Sequence, residues 1–451
     1  MLKVYNTLTH QKEILKPLHG KEIKMYVCGV TVYDLCHIGH ARAYIVFDVI
    51  RRYLLYRGYK VLYVQNFTDV DDKILNRALE RKINPLQLSQ DMIKEYFTDM
   101  DRLNIKRAEI YPKVTGHIPD IIEFIKQLIK KGYAYQAGHD VYFDVDKFKE
   151  YGKLSKRQAD DMQAGARIEI NEKKVNPLDF ALWKGDEKSE LTWESPWGKG
   201  RPGWHIECSA MSRKYLGDTF DIHGGGHDLV FPHHENEIAQ SEALTGKPMA
   251  NYWVHNGFVR INSEKMSKSL GNFFTIRDVL AKIDPVVLRA FFLMTHYRMP
   301  INYAEEDIRD VETAISRVRH SLENLTLSSS KNVTTKQINE LREEFIEGMD
   351  DDFNTARGMA VMFQVLKEFN KNPDTKLLAL LKELMHVLGL DIKPLEHEPV
   401  PTAIKEMAEQ RWQARQQKEW QKSDDLRNSL KEAGYLVEDG KDGYKLTKLD
   451  A

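Results

Sequence analysis

The stretch of sequence that decides the fold runs from residue 24 to residue 65 and reads KMYVCGVTVYDLCHIGHARAYIVFDVIRRYLLYRGYKVLYVQ. It begins with a short apolar run, and a loop then leads to His37-Ile38-Gly39-His40. Apolar side chains next recur every three or four residues, which predicts a helix ending at Gly58: Ala43, Phe47, Ile50 and Leu54. Lys60 to Gln65 alternate and include β-branched residues, so they predict a second strand. A strand, a helix and a strand at this spacing predict a parallel α/β sheet.

The composition is that of a folded protein with several domains. The chain has 451 residues, of which 42% are hydrophobic and 29% are charged. We expect a cytoplasmic protein that does not meet a membrane. No apolar run reaches the roughly 18 residues of a membrane span, and Met1 to Leu18 contain no signal-peptide core. Because the net charge is −1, any contact with nucleic acid must come from a local basic patch.

The chain has three cysteines, which are Cys28, Cys36 and Cys208. A sparse, odd number without a secretion signal argues against a disulfide framework. Such cysteines are core residues or metal ligands, and composition does not decide between the two.

The pattern of the sequence predicts three regions. Residues 1–303 contain the parallel sheet. Within them, the segment from about 115 to 203 is a connective insertion with helix-like and strand-like pieces. Residues 304–391 contain amphipathic segments and predict an α-helical bundle. A linker with Pro394, Pro399 and Pro401 then leads to a small C-terminal region, residues 402–451.

Two motifs have the composition of phosphate-binding segments. His37-Ile38-Gly39-His40 falls between a strand end and a helix N-terminus, where free backbone N–H groups and the helix dipole favour an anion. Lys265-Met266-Ser267-Lys268-Ser269, followed by Gly271, has the lysines, hydroxyls and glycine hinge of a mobile phosphate clamp. Each motif alone is better explained by a polar surface loop. Both in this order, however, resemble the signatures of class I aminoacyl-tRNA synthetases.

A third group of residues has metal-ligand chemistry. Pro232 opens a predicted helix that runs to Gly246, and the i, i+4 spacing puts His233 and Glu237 on one face. The same helix phase predicts that His234 and Glu235 point elsewhere. Two thiolates could complete a tetrahedral site, and Cys28 and Cys208 are available. Spacing does not show that these segments meet, so two buried cysteines and an exposed His/Glu pair remain the alternative.

Four further stretches resemble the cysteinyl-tRNA synthetase family. They are Cys28-Gly-Val-Thr-Val-Tyr-Asp34, Gly200-Arg-Pro-Gly-Trp-His-Ile-Glu-Cys208, Asp221-Ile-His-Gly-Gly-Gly226 and His233-His-Glu-Asn236. The resemblance implies a Rossmann-like catalytic domain with one Zn²⁺ per chain, bound by Cys28, Cys208, His233 and Glu237. Similarity is dense over residues 20–300, looser in the helical region around Asp351-Asp352-Phe353-Asn354-Thr355, and weakest over 402–451.

The family resemblance also implies a reaction and the residues that carry it. L-Cysteine would be activated with ATP and Mg²⁺ to cysteinyl adenylate, and its acyl group would pass to the 3′ end of tRNA(Cys). The implied catalytic residues are His37, His40, Lys265 and Lys268. Gly39 and Asp228 would join His37, His40 and Lys268 in binding ATP. Gly29, Thr68 and Trp204 would line the cysteine pocket.

The long arm of the tRNA would have to reach the helical bundle and the C-terminal region. Aromatic and guanidinium groups stack on unpaired anticodon bases, and the candidates are Arg411, Trp412, Arg415 and Arg427. An ordinary amphipathic helix with Trp412 in its core explains these residues equally well. We expect a monomer.

Two other functions stay open at this point. One is a related ligase that transfers cysteine to a small amino sugar, which would have no need of an anticodon-binding end. The other is a non-catalytic, zinc-containing RNA-binding paralogue. The residues after the helical bundle argue against the first, and the intact motifs argue against the second.

Overall fold

A computed structural model describes residues 1–157, 174–187, 189–261, 264–265, 274–323, 333–393, 401–440 and 443–448. The chain divides into two compact units, Met1–Lys393 and Pro394–Ala451, and each is described by itself. Among the described helices, none combines the length and apolar character needed to cross a bilayer.

The larger unit contains both strands and helices. In chain order, its strands are β1 (Lys3–Asn6), β2 (Gln11–Ile14), β3 (Glu22–Val27), β4 (Lys60–Gln65), β5 (Ala134–Ala137), β6 (Asp140–Phe143), β7 (Phe180–Gly185), β8 (Gly200–Pro202), β9 (Phe220–Gly226), β10 (Ala250–Asn256), β11 (Val259–Ile261), β12 (Glu264–Lys265) and β13 (Ile301–Tyr303). Its helices are α1 (Ile38–Tyr56), α2 (Asp72–Arg81), α3 (Pro85–Arg102), α4 (Ile118–Lys130), α5 (Trp204–Leu216), α6 (Glu235–Thr245), α7 (Ile276–Leu280), α8 (Pro285–Leu293), α9 (Glu305–Glu323), α10 (Thr335–Asp350), α11 (Thr355–Lys371) and α12 (Thr375–Leu388).

A four-stranded parallel sheet, in the order β10-β9-β3-β4, organises this unit. Successive side chains of β3 point to opposite faces and enter two different cores. Met25 and Val27 pack with α1, whereas Tyr26 lies in the core that also contains Cys28 and Cys208. The predicted strand–helix–strand unit is therefore confirmed, with α1 ending just before Gly58, whose φ is +80°.

The segment between β4 and β9 builds a second sheet. Strands β5, β6, β7 and β8 pair antiparallel in chain order. Phe143, Phe180 and Trp183 from this sheet share one core with Tyr26 and Cys28. The antiparallel sheet therefore shares the core on the face of the parallel sheet opposite α1, and α5 contacts both sheets.

Helices α9 to α12 pack next to the parallel sheet, and buried ion pairs of Asp48 hold this bundle to α1. Asp48 of α1 pairs with Arg52 at 2.7 Å and also with Arg289 of α8. Arg289 Nε donates to the carbonyl of Leu388, the last residue of α12, at 2.9 Å. Burial alone would raise the pKa of Asp48, but Arg289 and Arg52 lower it. The carboxylate therefore stays charged and ties three helices together.

The smaller unit consists of helices α13 (Thr402–Gln416) and α14 (Trp420–Glu432) and the antiparallel strands β14 (Tyr435–Asp439) and β15 (Tyr444–Lys448). Arg411 is 1% exposed and pairs with Asp439 through both terminal nitrogens. The prediction that Arg411 is available to stack on RNA is therefore wrong, because its guanidinium is used inside the fold. Trp412 is half-buried, with its ring centroid 6.1 Å from that of Tyr444.

The buried ion pairs of Asp48 give a test of the fold. We expect Asp48→Ala to lower the free energy of unfolding by about 3–5 kcal/mol, because two buried guanidinium groups lose their carboxylate. Urea denaturation followed by tryptophan fluorescence measures the loss. Asp351→Ala is the control, since its partner Lys12 is 38% exposed and the pair is worth less than about 1 kcal/mol. Equal losses in the two variants would contradict the assignment.

Candidate functional site

The carboxyl ends of β3 and β9 lie side by side and bring one cysteine to the centre of the sheet. Cys28 directly follows β3, and its backbone N–H donates to the carbonyl of Gly224 in β9 at 3.1 Å. Helix α5 supplies Cys208, and α6 supplies Glu237. Ligands bind in this position in open parallel sheets because loops and helix ends converge there.

Thiol, imidazole and carboxylate groups meet at this point. The sulfur of Cys28 lies 3.7 Å from that of Cys208 and 3.4 Å from Glu237 Oε1. His233 Nε2 lies 3.0 Å from the same Glu237 oxygen. These four side chains are at most 7% exposed. Four residues from three distant segments of the sequence are thus brought together in a buried site.

His234 joins the same group, and the prediction that it points elsewhere is wrong. Its Nε2 lies 3.3 Å from the sulfur of Cys28. The predicted helix phase assumed a regular helix from Pro232, but regular α-helix begins at Glu235, after a wide turn in which Phe231 is non-helical. The turn rotates the His234 ring toward the cluster. Glu235 does point away, because its carboxylate accepts hydrogen bonds from backbone N–H groups including that of Ser155.

Ligand atoms of Cys28, His233, His234 and Glu237 all lie within 4.8 Å of one another. A cluster of this kind could hold a metal ion. Cys208, through its contact with Cys28, lies at the edge of the same group. The cluster therefore contains five donor side chains, one more than the four that a tetrahedral ion binds.

The cluster favours negative charge even without a cation. A hydrogen bond from the Cys28 thiol, assisted by His233, outweighs burial and lowers the pKa of Cys208 to about 6. Burial would raise the pKa of Glu237, but His223 and His233 hold it well below its usual value. Burial lowers the pKa of His233, yet the Glu237 carboxylate raises it to about 10. A thiolate and a carboxylate therefore face each other in a buried site.

A second ring of histidines orients these donors. His223 Nε2 lies 2.8 Å from Glu237 Oε2, and His205 Nδ1 lies 2.9 Å from His233 Nδ1. His255 Nε2 lies 2.8 Å from His234 Nδ1. Burial lowers the pKa of His205, His234 and His255 well below the usual value. Sequence analysis missed these histidines, although His205 and His223 lie within two of the quoted stretches.

The residues predicted to line the amino-acid pocket surround the cluster. A Cβ at Gly29 would lie 1.6 Å from the Asn66 carbonyl oxygen, so a side chain cannot fit there. Thr68 Oγ1 donates to the buried Glu207 at 2.7 Å. Trp204 is 39% exposed and stacks on His233, with ring centroids 4.2 Å apart. Asn66, which sequence analysis missed, places its Oδ1 3.8 Å from the sulfur of Cys208.

The first phosphate motif forms the beginning of α1. His37 is the N-cap residue, and its Nδ1 accepts from the backbone N–H of Gly39 at 3.1 Å. The His37 backbone N–H donates to His40 Nδ1 at 3.2 Å, and the two rings stack with centroids 3.7 Å apart. Burial lowers the pKa of His40 well below its usual value, so this ring is a neutral hydrogen-bonding group. The helix N-terminus and two imidazoles together present an anion-binding corner.

The remaining predicted phosphate ligands are only partly described. Asp228 is exposed on the turn that directly follows β9. Lys265 belongs to the short strand β12, whereas Lys268 lies outside the described residues.

Comparison with family models gives two matches. Residues 14–313 match the model for the tRNA synthetases class I (C) catalytic domain, and residues 344–393 match the model for the DALR domain.

Solved structures of low sequence identity share the fold. Methionyl-tRNA synthetase from Mycobacterium tuberculosis, in complex with methionyl-adenylate, has a TM-score of 0.58 and 14% identity, and covers 82% of this chain and 89% of its own. LeuRS from Agrobacterium radiobacter K84 has a TM-score of 0.60 and 12% identity over 84% of each chain. These likenesses support the predicted Rossmann-like domain.

Curated relatives align over nearly the whole chain. The Cysteine--tRNA ligase of Geobacillus sp. (strain WCH70) is 52% identical and covers 98% of both chains. The Cysteine--tRNA ligase of Clostridioides difficile (strain 630) is 49% identical and covers 99% of this chain and 100% of its own. The chain therefore belongs to the cysteine–tRNA ligase family of class I aminoacyl-tRNA synthetases.

Proposed function

We propose that the enzyme activates L-cysteine with ATP and transfers the cysteinyl group to the 3′ end of tRNA(Cys). The main support is the buried Cys/His/Glu cluster at the carboxyl edge of the parallel sheet. It occurs in a chain that is about half identical to cysteine–tRNA ligases over nearly its full length. In the first step, a carboxylate oxygen of cysteine attacks the α-phosphorus of ATP and pyrophosphate leaves. In the second, a hydroxyl of the terminal ribose attacks the adenylate's acyl carbon, the ester forms and AMP leaves.

One Zn²⁺ per chain would be held by Cys28, Cys208, His233 and Glu237. Two sulfurs, one imidazole nitrogen and one carboxylate oxygen form a donor set that zinc accepts. The burial of the four side chains fits as well, because a divalent ion would take the place of the His233 proton and balance the charges of Cys208 and Glu237.

The zinc explains how cysteine is separated from serine. Cysteine and serine differ by one atom. A pocket that distinguishes such similar substrates by shape alone discriminates between them by about 10–200-fold. Bound zinc would supply a preference for a thiolate over a neutral hydroxyl. Around it, Gly29, Thr68 and Trp204 would bound the pocket, and the Trp204 ring would cover its outer side. We therefore expect selection at the binding step.

The N-terminus of α1 and the lysine motif would bind the phosphates of ATP. His37 and His40 at the N-terminus of α1 would donate hydrogen bonds to ATP, and Gly39 between them would let the nucleotide come close to the backbone. Lys265 and Lys268 would neutralise the β- and γ-phosphates together with Mg²⁺, and Asp228 would contact ATP near the end of β9. Positioning and charge neutralisation supply most of the acceleration in such a transfer.

The tRNA would contact the bundle at 304–391 and the C-terminal region at 402–451. Arg415 and Arg427 are exposed there. Trp420 is 56% exposed, and the Arg415 guanidinium lies 5.8 Å from its ring centroid, so Trp420 is a further candidate for anticodon binding.

A small amino-sugar acceptor is not favoured, because the tRNA ligases align through this region as well. We also propose a cytoplasmic monomer.

The ligand assignment predicts the behaviour of Cys208→Ser. We expect this variant to lose its zinc and most of its cysteine-dependent ATP–pyrophosphate exchange, because a serine hydroxyl is a poor zinc ligand. Metal analysis and the exchange assay measure the two losses. Cys36→Ala is the matched control and keeps its zinc, since Cys36 belongs to the other core. Retained zinc with a normal KM for cysteine in Cys208→Ser would refute the assignment.

The phosphate clamp predicts that Lys268→Ala slows ATP–pyrophosphate exchange by about 10²-fold or more, because one charge facing the leaving phosphates is removed. Lys282→Ala, an exposed lysine after α7, is the control and exchanges at the wild-type rate. An unchanged rate in Lys268→Ala would exclude the clamp role.

The anticodon proposal predicts separate effects on the two steps. Trp420→Ala should lower kcat/KM for tRNA aminoacylation by about 5–150-fold, the loss of one stacked base, and leave ATP–pyrophosphate exchange unchanged. Trp420→Phe retains a stacking ring and should recover most of the loss. Aminoacylation at the wild-type rate in Trp420→Ala would remove this residue from the interface.

A further inference from the structure

A buried chain of three hydrogen bonds leads from the sulfur of Cys28 to the N-terminal hairpin. His234 Nε2 lies 3.3 Å from Cys28 Sγ, and His234 Nδ1 lies 2.8 Å from His255 Nε2. His255 Nδ1 lies 2.8 Å from Thr7 Oγ1. His234 is 0% exposed and His255 is 4% exposed. Every ring nitrogen of these two histidines therefore has a partner.

We propose that Thr7 is a positioning residue whose hydroxyl fixes the tautomers of His255 and His234, so that His234 donates to Cys28 and is not a metal ligand. The inference rests on the proposed function in one respect, because it takes Cys28 as a metal-bound thiolate.

The direction of each hydrogen bond follows from counting protons. A thiolate carries no proton, so His234 Nε2 must donate. A neutral imidazole has one donor and one acceptor nitrogen, so His234 Nδ1 accepts and His255 Nε2, at 2.8 Å, donates to it. His255 Nδ1 then accepts, and its donor is the Thr7 hydroxyl. All three bonds therefore point toward the sulfur.

The consequence is a choice between two adjacent histidines. A ring nitrogen that bears a proton has no lone pair for a metal, so Nε2 of His234 is excluded as a ligand. His233 differs because its Nδ1 lies 2.9 Å from His205 Nδ1 and can donate there, so that its Nε2 would bind an ion in place of the proton that faces Glu237. Outer hydrogen bonds thus decide which of the two rings binds the ion.

The position of Thr7 is set independently of its hydroxyl. Its backbone N–H donates to the carbonyl of Trp253 in β10 at 2.8 Å. The neighbouring Asn6, which is 2% exposed, accepts from the Trp253 N–H at 3.0 Å and donates to the carbonyl of Asn251 at 2.9 Å. Thr7→Val, which has nearly the same shape, should therefore leave the hairpin in place.

Thr7→Val, Thr7→Ser and the control Thr9→Val test the proposal in the full-length protein. Thr9 is an exposed hydroxyl in the same turn and bonds to Glu13. Zinc affinity is measured by competition with a chelator, and the ligand set by the visible spectrum of the cobalt-substituted protein. Circular dichroism verifies that each variant is folded.

We expect Thr7→Val to bind zinc about tenfold more weakly or worse, as for other lost outer-shell partners. Its cobalt spectrum should change, because the His234 tautomer is no longer fixed and its Nε2 can compete as a ligand. Thr7→Ser should restore the affinity and the spectrum, and Thr9→Val should match wild type.

Wild-type affinity and an unchanged spectrum in Thr7→Val would overturn the proposal, as would a failure of Thr7→Ser to recover the losses. The proposed zinc site fails separately, if the wild-type protein binds no zinc or if Cys208→Ser keeps it, and the Thr7 proposal then falls with it.

Discussion

Two thiols, two imidazoles and a carboxylate are buried within a few ångströms of one another, and the surrounding elements hold them there. Cys208 and Glu237 both favour their charged forms, and His233 compensates part of this negative charge. The parallel sheet places Cys28 at the end of β3, and α5 and α6 bring in the other donors. A divalent ion bound here would supply the remaining compensation.

Much of the surrounding architecture keeps these donors in place. Cys28 and Cys208 belong to the core that the antiparallel sheet of β5 to β8 shares, and both are buried there. Histidines hold the donors from outside, with His223 on Glu237 and His205 on His233. On the opposite face, α1 begins with the phosphate motif and is tied through Asp48 to the helical bundle. One helix thus links the ATP corner to the region proposed to bind tRNA.

The sequence predicts the centre of the fold well, because hydrophobic periodicity directly reports which faces of β3, α1 and β4 are buried. It could suggest which residues ligate a metal only through family resemblance, since spacing along the chain does not reveal that Cys28 and Cys208 meet. His234 was mispredicted because a wide turn at 230–234 breaks the assumed helix phase. Arg411 was mispredicted because an arginine on an amphipathic helix looks alike whether it faces RNA or Asp439. Both errors concern tertiary contacts that local patterns do not contain.

X-ray diffraction from crystals of the protein, measured on both sides of the zinc absorption edge, would locate the ion and its ligands together. We expect one anomalous peak per chain, contacted by Cys28, Cys208, His233 and Glu237, with His234 hydrogen-bonded to Cys28. No peak at this cluster, or a peak ligated by His234 in place of His233, would contradict this expectation.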